Sequence, residues 1–274
     1  MPDSVNPVFT IDPSKHLIAT PSPSCIYCGQ SLYRPTGRSK RGEEHVVPEG
    51  LGGKFVIPEA ACFRCEVEIN KFEQSVLRSV LYLPRVTLGV PRKKRKRGPD
   101  LITLMATVDG RETQVRLPIG IAPNMMILPV LGAPGITVNR KPTDAEFLGM
   151  WFRTLGDFSI PQVEGMTSIA SPVLDTLSFC RFLAKIAHCV ATAHLGNRFR
   201  SALTDFILTG RSDGQYHLIG GAMTEAESAG ETLHEIRIGI NERQEVPVVH
   251  VYIRLFSTLG SPSYWVVAGN ALTN

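Results

Sequence analysis

The sequence predicts an α+β fold: a small, metal-stapled unit followed by a larger domain with a mostly antiparallel sheet. Two observations lead to this prediction. Four of the six cysteines form two Cys-x-x-Cys pairs within a window of 41 residues. Beyond residue 100 the chain runs through strand-like segments, then helical segments, then strand-like segments again. Strands that are grouped in this way, rather than alternating with helices, favour antiparallel pairing.

The composition is that of an ordinary globular protein. Apolar residues make up 43% of the 274 residues and charged residues 20%, both close to the usual values. No apolar run reaches the roughly 18 residues that can cross a bilayer. The N-terminus has neither the basic nor the apolar region of a secretory signal. We therefore expect no membrane partner and a cytoplasmic location.

Positive charge is concentrated in the first 100 residues. They hold 16 Lys and Arg and 10 Asp and Glu, a net charge of +6, whereas the remainder holds 13 and 15, a net charge of −2. This asymmetry favours a polyanionic partner for the N-terminal part. We predict four segments: a flexible arm (1–20), a Cys-rich unit (21–84), a basic linker (85–100) and a larger α+β region (101–274).

The two cysteine pairs indicate a metal site. In a cytosolic chain, paired Cys-x-x-Cys motifs are typical of metal binding before disulfides, and four thiolates suit one tetrahedral zinc ion. The alternative is four unrelated free cysteines. Because a closed four-thiolate site has no open coordination position, this ion is expected to stabilise the unit without catalysing a reaction. The predicted ligands, for about one zinc per chain, are Cys25, Cys28, Cys62 and Cys65.

The segment between the two pairs contains the motif EEHVVPEGLGG. It predicts a short strand that is stopped by Pro48 and followed by a loop with Gly52 and Gly53. After the second pair, CEVEINKFEQSVLRSVL predicts a helix. Residues four apart share a helix face, so Glu66 and Asn70 are expected to lie together. Glu68 and Glu73 are expected to be acids on the surface of this helix.

These pieces in this order resemble the HNH endonucleases, in the branch with two zinc knuckles. The matching pieces are CIYC, EHVVP, LGG and CFRC, and they cover about residues 22–82. The resemblance implies a ββα-metal fold for this unit and hydrolysis of DNA phosphodiester bonds. It also implies the context of a bacterial or phage defence system or of a mobile element.

The resemblance assigns roles to individual residues. His45 would be the general base that takes a proton from the attacking water. Glu44, Glu66 and Asn70 would bind a catalytic Mg²⁺ or Mn²⁺ ion, and Asn70 could instead orient a water. The chain departs from the family in having Glu66 where Asn or His is more common, and no Asn in the segment KFVIPEAA. A backbone carbonyl is therefore expected to orient His45.

A basic block, residues 92–97, lies between two prolines near the end of the first 100 residues. Contacts of its side chains with phosphates would favour DNA binding that is independent of sequence and weakens with salt. The alternative interpretation is a solvated, flexible linker without a binding role. A nuclear-localisation signal also fits the composition. The predicted DNA contacts are Lys54, Arg92, Lys93, Lys94, Arg95, Lys96 and Arg97.

The larger region shows secondary-structure signals but no recognisable catalytic group. LITLMATV and RETQVRL around Asp109-Gly110 predict a β-hairpin, and PNMMILPVLG, TLHEIRIGI, VPVVHVYIRLF and SYWVVAG predict strands. Helices are expected in residues 143–156, in residues 172–196 with Pro172 near the start, and in residues 197–210. His188 and His194 are expected to be packing or surface residues rather than ligands, and Cys180 and Cys189 are expected to be small buried apolar residues.

The sequence thus favours a metal-dependent HNH endonuclease with His45 as its base. Because one HNH unit cuts one strand, double-strand cleavage would need a homodimer or two successive nicks. One alternative is a non-catalytic zinc-knuckle protein that binds nucleic acid. Another is a nuclease controlled by a ligand-sensing C-terminal region, a region that could also select the target or mediate dimerisation.

Overall fold

The structure is a computed structural model of the 274-residue chain. It describes residues 6–30, 42–90, 101–122, 125–140, 146–155, 163–170, 174–211, 215–222, 228–243 and 245–272. The predicted contacts Arg92, Lys93, Lys94, Arg95, Lys96 and Arg97 lie outside these ranges.

Four α-helices, five short 3₁₀-helices and fourteen strands make up the regular elements of the described residues. The helices are α1 (Phe63–Arg78), α2 (Tyr82–Thr87), α3 (Thr176–Leu195) and α4 (Thr204–Thr209). The strands are β1 (Asn6–Ile11), β2 (Leu17–Ile18), β3 (Gly42–His45), β4 (Phe55–Ala61), β5 (Leu101–Val108), β6 (Arg111–Pro118), β7 (Met125–Leu131), β8 (Phe147–Thr154), β9 (Met166–Ile169), β10 (Phe199–Ser201), β11 (Ile219–Gly221), β12 (His234–Asn241), β13 (Val248–Leu255) and β14 (Ser263–Ala271).

A six-stranded sheet forms the centre of the molecule. Its strand order is β1-β12-β13-β14-β10, and β11 also pairs with β14. All of these pairings are antiparallel. Helix α3 packs on this sheet: the rings of Phe179 and Tyr264 meet edge-to-face with centroids 5.3 Å apart. The α+β class and the mostly antiparallel sheet are therefore confirmed.

The Cys-rich unit has the element order strand, strand, helix. β3 and β4 pair antiparallel and α1 follows directly after β4, while the short β2 pairs parallel with β4. Helix α1 forms because apolar side chains recur at helical spacing: Ile69, Phe72 and Val76 are all buried on one face. This order agrees with the predicted hairpin and helix.

The hydrophobic core continues across the predicted boundary between the Cys-rich unit and the larger region. Leu51 and Phe72 belong to the same buried cluster as Leu183 and Val251. The guanidinium of Arg181 on α3 also lies 4.6 Å from the centre of the Phe72 ring on α1. The two segments therefore share one core, while their division into functional domains stays a prediction. A smaller cluster joins α2 to the hairpin of β5 and β6.

Several strand and turn predictions are confirmed. The hairpin of β5 and β6 turns at Asp109 and Gly110, which have φ angles of 48° and 74°. Two consecutive positive φ values are what a two-residue turn of type I′ requires. The strands predicted in PNMMILPVLG, TLHEIRIGI, VPVVHVYIRLF and SYWVVAG correspond to β7, β12, β13 and β14.

Three expectations differ from the structure. The helix expected in residues 143–156 is strand β8, because pairing with β7 outweighs the local helical spacing. The helix expected in residues 197–210 is reduced to α4, because Phe199–Ser201 pairs with β14. The arm expected in residues 1–20 contains β1, since its backbone extends the sheet beside β12.

The described residues include no helix that is both long and apolar enough to cross a membrane.

Candidate metal centre and histidine site

The four predicted zinc ligands come together. Their sulfur atoms all lie within 4.8 Å of one another, and the Sγ atoms of Cys28 and Cys62 are 3.7 Å apart. Cys25 and Cys28 bracket a turn that precedes Gly29, and Cys62 and Cys65 occupy the N-terminal end of α1. We refer to these four residues as the four-cysteine cluster.

Within the four-cysteine cluster the surroundings favour the thiolate, which is the form that binds metal, at Cys25, whereas burial raises the pKa of Cys28. A hydrogen bond with the Cys65 thiol holds the pKa of Cys25 well below its ordinary value, and backbone N–H groups add to the effect. One of these, the N–H of Cys62, lies 3.4 Å from the Cys25 sulfur. The same hydrogen bond raises the pKa of Cys65. Four sulfur donors of this kind can hold a metal ion such as zinc.

Residues 46–53, which follow β3 and which we call the motif loop, bring His45 against the backbone of Gly53. His45 is the last residue of β3, and its Nδ1 atom lies 3.3 Å from the Gly53 carbonyl oxygen. A carbonyl oxygen can only accept, so Nδ1 carries the proton and the neutral ring has its lone pair at Nε2. The predicted orientation of His45 by a backbone carbonyl is therefore observed.

The Leu-Gly-Gly turn allows the contact between His45 and the Gly53 carbonyl to form. Gly52 adopts a φ of 86°, in the left-handed region that favours glycine. At residue 53 any other side chain would clash, because a Cβ atom there would lie 1.8 Å from the Val47 carbonyl oxygen. The two glycines thus allow the loop to fold back onto the end of β3.

Alternation along β3 separates the two neighbouring acids. Side chains at odd and even positions of a strand point to opposite faces. Glu43, which is 62% exposed, places Oε1 3.8 Å from Nε2 of His45, whose side chain is 23% exposed. Glu44 lies between them in the sequence but points into the core. The acid on the face of His45 is therefore Glu43.

Glu44 pairs with a lysine that comes from the larger region. Its Oε1 atom lies 2.7 Å from Nζ of Lys185 on α3, and Oε1 of Glu73 on α1 lies 3.0 Å from the same nitrogen. We call Lys185, Glu44 and Glu73 the lysine cluster. Burial lowers the pKa of Lys185, but the two carboxylates outweigh it and leave this pKa above its ordinary value. Lys185 therefore carries its charge in the interior.

The residues predicted to complete a catalytic-ion site differ from Glu44 in burial. Glu66 is half-buried in the first turn of α1, and Asn70 and Lys54 are exposed. Within the described ranges, the four-cysteine cluster is the only group of three or more His, Cys, Asp or Glu side chains placed to hold a metal. The Mg²⁺ or Mn²⁺ site at Glu44, Glu66 and Asn70 therefore stays a prediction.

Sequence reasoning missed the lysine cluster. Glu73 was expected on the helix surface, but it is buried. Its burial raises the pKa of its carboxyl group, while Lys185 acts in the opposite direction. The available signal was the single Lys in the apolar run FLAKIAHCV of α3, because a Lys surrounded by apolar residues needs a buried counter-charge. Cys180, Cys189 and His188 are buried packing residues, as predicted.

Comparison with known proteins assigns no family. No family model matches the chain, and neither the curated proteins nor the solved structures include a match.

Proposed function

We propose that this protein is an endonuclease of the HNH type that hydrolyses phosphodiester bonds of DNA, with His45 as the general base. The observation that carries the proposal is the hydrogen bond from Nδ1 of His45 to the Gly53 carbonyl oxygen. It leaves the basic nitrogen Nε2 on a partly exposed face of the molecule. An imidazole held in one tautomer suits proton abstraction near neutral pH.

The chemistry assigned to the chain's own residues is a proton transfer. Nε2 of His45 accepts a proton as the oxygen of a water molecule bonds to the phosphorus atom. The bond from phosphorus to the 3′ oxygen breaks, and the leaving 3′ oxygen takes up a proton from solvent. The Gly53 carbonyl keeps the Nδ1 proton in place during this transfer. The carboxylate of Glu43, on the same face, then stabilises the positive imidazolium. The four-cysteine cluster has a structural role in this proposal, because all four of its ligand positions are taken by sulfur.

A divalent ion at Glu44 is not part of the proposed reaction. The Glu44 carboxylate faces the buried ammonium of Lys185 rather than the face of His45. Any ion that assists the reaction would need ligands on the exposed side of β3, where Glu43 supplies a carboxylate oxygen of the kind that Mg²⁺ and Mn²⁺ accept.

The proposed substrate is DNA because of the charge of the N-terminal part. Lys54 is exposed in the loop directly after Gly53, and the basic block lies at residues 92–97. Contacts of this kind act on phosphates and carry no base information. The proposed DNA binding is therefore independent of sequence and weakens as salt is added.

A plasmid nicking assay with Mg²⁺ or Mn²⁺ tests the proposal. His45→Ala should abolish nicking while retaining DNA binding and zinc. The matched control is His194→Ala, since His194 is another exposed histidine, located at the end of α3. If the wild-type protein binds DNA but never nicks it, or if His45→Ala nicks at the wild-type rate, the proposal is wrong.

A second candidate is a zinc-knuckle protein that binds nucleic acid without cleaving it. The pairing of Glu44 with Lys185 favours it, since this pairing withdraws the acid beside His45 from the exposed face. This candidate predicts DNA binding that weakens with salt, a shallower salt dependence once the charges at residues 92–97 are removed, and no effect of His45→Ala on any measured property.

A further inference from the structure

We propose that Lys185 is a positioning residue for His45, and that Glu44 and Glu73 serve as its counter-charges rather than as ligands of a catalytic ion. The inference rests on the proposed function only where it concerns catalysis. Its structural content, that helix α3 of the larger region holds His45 in place, can be tested by itself.

The contacts of Lys185 converge on the end of β3. The side chain is 0% exposed, and its ammonium group donates to the His45 carbonyl oxygen. Its other partners are the carboxylates of Glu44 and Glu73, at 2.7 Å and 3.0 Å, and the Val46 carbonyl oxygen lies 3.5 Å away. Of its three N–H donors, one serves the His45 carbonyl, while Glu44 and Glu73 lie within ion-pair distance and balance its charge.

Two hydrogen bonds together determine where Nε2 of His45 lies. The bond to the Gly53 carbonyl orients the ring, and the bond from Lys185 holds the backbone from which the ring extends. A ring fixed at one end only could still shift with the strand. Because misplacing a catalytic group by about 1 Å can cost on the order of 100-fold in rate, the second bond matters to the chemistry.

Burial explains why the ammonium group of Lys185 is accompanied by two carboxylates. A lone ammonium in the core would be strongly destabilised, and burial alone lowers the pKa of a lysine. The two carboxylates reverse this effect, so Lys185 stays protonated and able to donate. This explains why an acid precedes His45: alternation along β3 sends the side chain of Glu44 into the core, where the ammonium needs a partner.

Two further side chains of the larger region bind carbonyl groups of the Cys-rich unit in the same way. On α3, Nε2 of His188 lies 3.0 Å from the Ile26 carbonyl oxygen, beside the first cysteine pair. On β12, Nε2 of His234 lies 2.8 Å from the Leu51 carbonyl oxygen. The motif loop is therefore held near its start by Lys185 and near its end by His234. The larger region thus forms part of the site.

The test uses the full-length protein and a variant that removes charge while keeping side-chain shape. Lys185→Met, Glu44→Gln and Glu73→Gln are combined in one chain, which leaves no unpaired buried charge but removes the donor to the His45 carbonyl. The matched control is Arg181→Met, because Arg181 is another cation on α3 that contacts α1. NMR then follows the imidazole signals of His45 and their titration, and the nicking assay separates kcat from KM.

We expect the triple variant to fold and bind zinc, with shifted His45 imidazole signals and an altered titration midpoint. Its kcat should fall roughly tenfold or more with KM nearly unchanged. Arg181→Met should leave the His45 signals at their wild-type positions. A folded triple variant with wild-type His45 signals and titration would overturn the inference, whatever its nicking rate.

A measurement on the wild-type protein keeps the inference testable if the triple variant does not fold. An ammonium that is buried and hydrogen-bonded exchanges slowly with water. NMR should therefore detect the Lys185 ammonium directly, with a through-hydrogen-bond coupling to the His45 carbonyl carbon. A rapidly exchanging ammonium without this coupling would contradict the inference.

The outcomes also separate this inference from the proposed function. If the wild-type protein does not nick DNA but the His45 signals move in the triple variant, Lys185 positions His45 and the nuclease proposal fails. If the wild-type protein nicks DNA and the triple variant keeps both the signals and kcat, the nuclease proposal stands and the role of Lys185 is wrong.

Discussion

The four-cysteine cluster and the lysine cluster both gather charged or chargeable groups, all of them buried except Cys28, but they are assembled differently. All four cysteines come from two short motifs in one local unit, and the helix that carries the second pair follows directly after the hairpin. The lysine cluster takes one residue each from β3, α1 and α3. The first depends on local spacing, whereas the second exists only once the larger region has packed against the Cys-rich unit. Four substitutions test this contrast.

The largest expected effect concerns the four-cysteine cluster. Cys65→Ser should remove about one zinc per chain and unfold the Cys-rich unit, because structural zinc sites provide on the order of 10 kcal/mol of apparent binding free energy. Metal analysis and thermal unfolding measure both effects. Cys180→Ser, at a buried cysteine outside the cluster, should keep its zinc. A folded wild-type protein without zinc would show that local spacing did not encode a metal site.

The next effect concerns the lysine cluster. Lys185→Met should lower the free energy of unfolding by about 3–5 kcal/mol, because it leaves buried carboxylates without their counter-charge. Adding Glu44→Gln and Glu73→Gln should recover most of this loss, as neutral buried groups cost less than unpaired charges. Chemical denaturation measures all three steps. If Lys185→Met alone is as stable as the wild-type protein, the cluster is not a buried ion-pair network.

His234 gives a smaller effect that depends on pH. Its Nδ1 atom accepts from the N–H of Phe256 and its Nε2 donates to the Leu51 carbonyl, so the folded state has no room for a second ring proton. Burial lowers the pKa of His234 to about 4 from 6.5. Between these two values only the unfolded state binds the proton, so stability decreases as the pH falls.

His234→Gln tests this linkage. Between about pH 7.5 and pH 5, the wild-type protein should lose roughly 2 kcal/mol more of its unfolding free energy than the variant does. Denaturation at the two pH values provides the comparison. An equal loss in both proteins would mean that His234 does not tie the motif loop to β12 in its neutral form.

The smallest effect is a local one within the larger region. The Asp175 side chain caps α3 by accepting from the N–H of Ser178 at 3.1 Å. Asp175→Ala should cost about 1 kcal/mol and leave both zinc content and the His45 NMR signals unchanged, because the cap lies nearly three turns from Lys185. Movement of the His45 signals would show that the lysine cluster responds to the whole helix rather than to its own contacts.

Much of the fold could be predicted because the relevant signals are local. Asp109-Gly110 specifies a tight turn, and the apolar spacing of α1 specifies a helix with one buried face. Strand β8 could not be predicted in this way, because its aromatic and apolar residues also suit a helix until β7 lies beside them. The same limit applies to Phe199–Ser201, which becomes a strand because β14 offers an edge.

In the candidate site, too, the features encoded by local sequence could be predicted and those formed by distant contacts could not. Spacing alone indicated that the four cysteines form a metal site. The absence of Asn from KFVIPEAA led to the expectation that a backbone carbonyl orients His45, and the carbonyl of Gly53 has this position. The partner of Glu44 could not be foreseen, because Lys185 lies about 140 residues further along the chain. Alternation along β3 places Glu44 and His45 on opposite faces of the strand but does not identify the partner of Glu44.

The amino-acid sequence alone specifies which residues are able to act: four thiols at metal-binding spacing, a histidine ahead of a glycine turn, and a basic block. What each of these residues faces depends on the tertiary fold. It turned Glu44 and Glu73 inward because a buried ammonium requires counter-charges, and it left Glu43 beside His45 on the exposed face. Local spacing can encode a chelate within one turn or hairpin, but the pairing of a buried charge depends on packing between elements that are distant in the sequence.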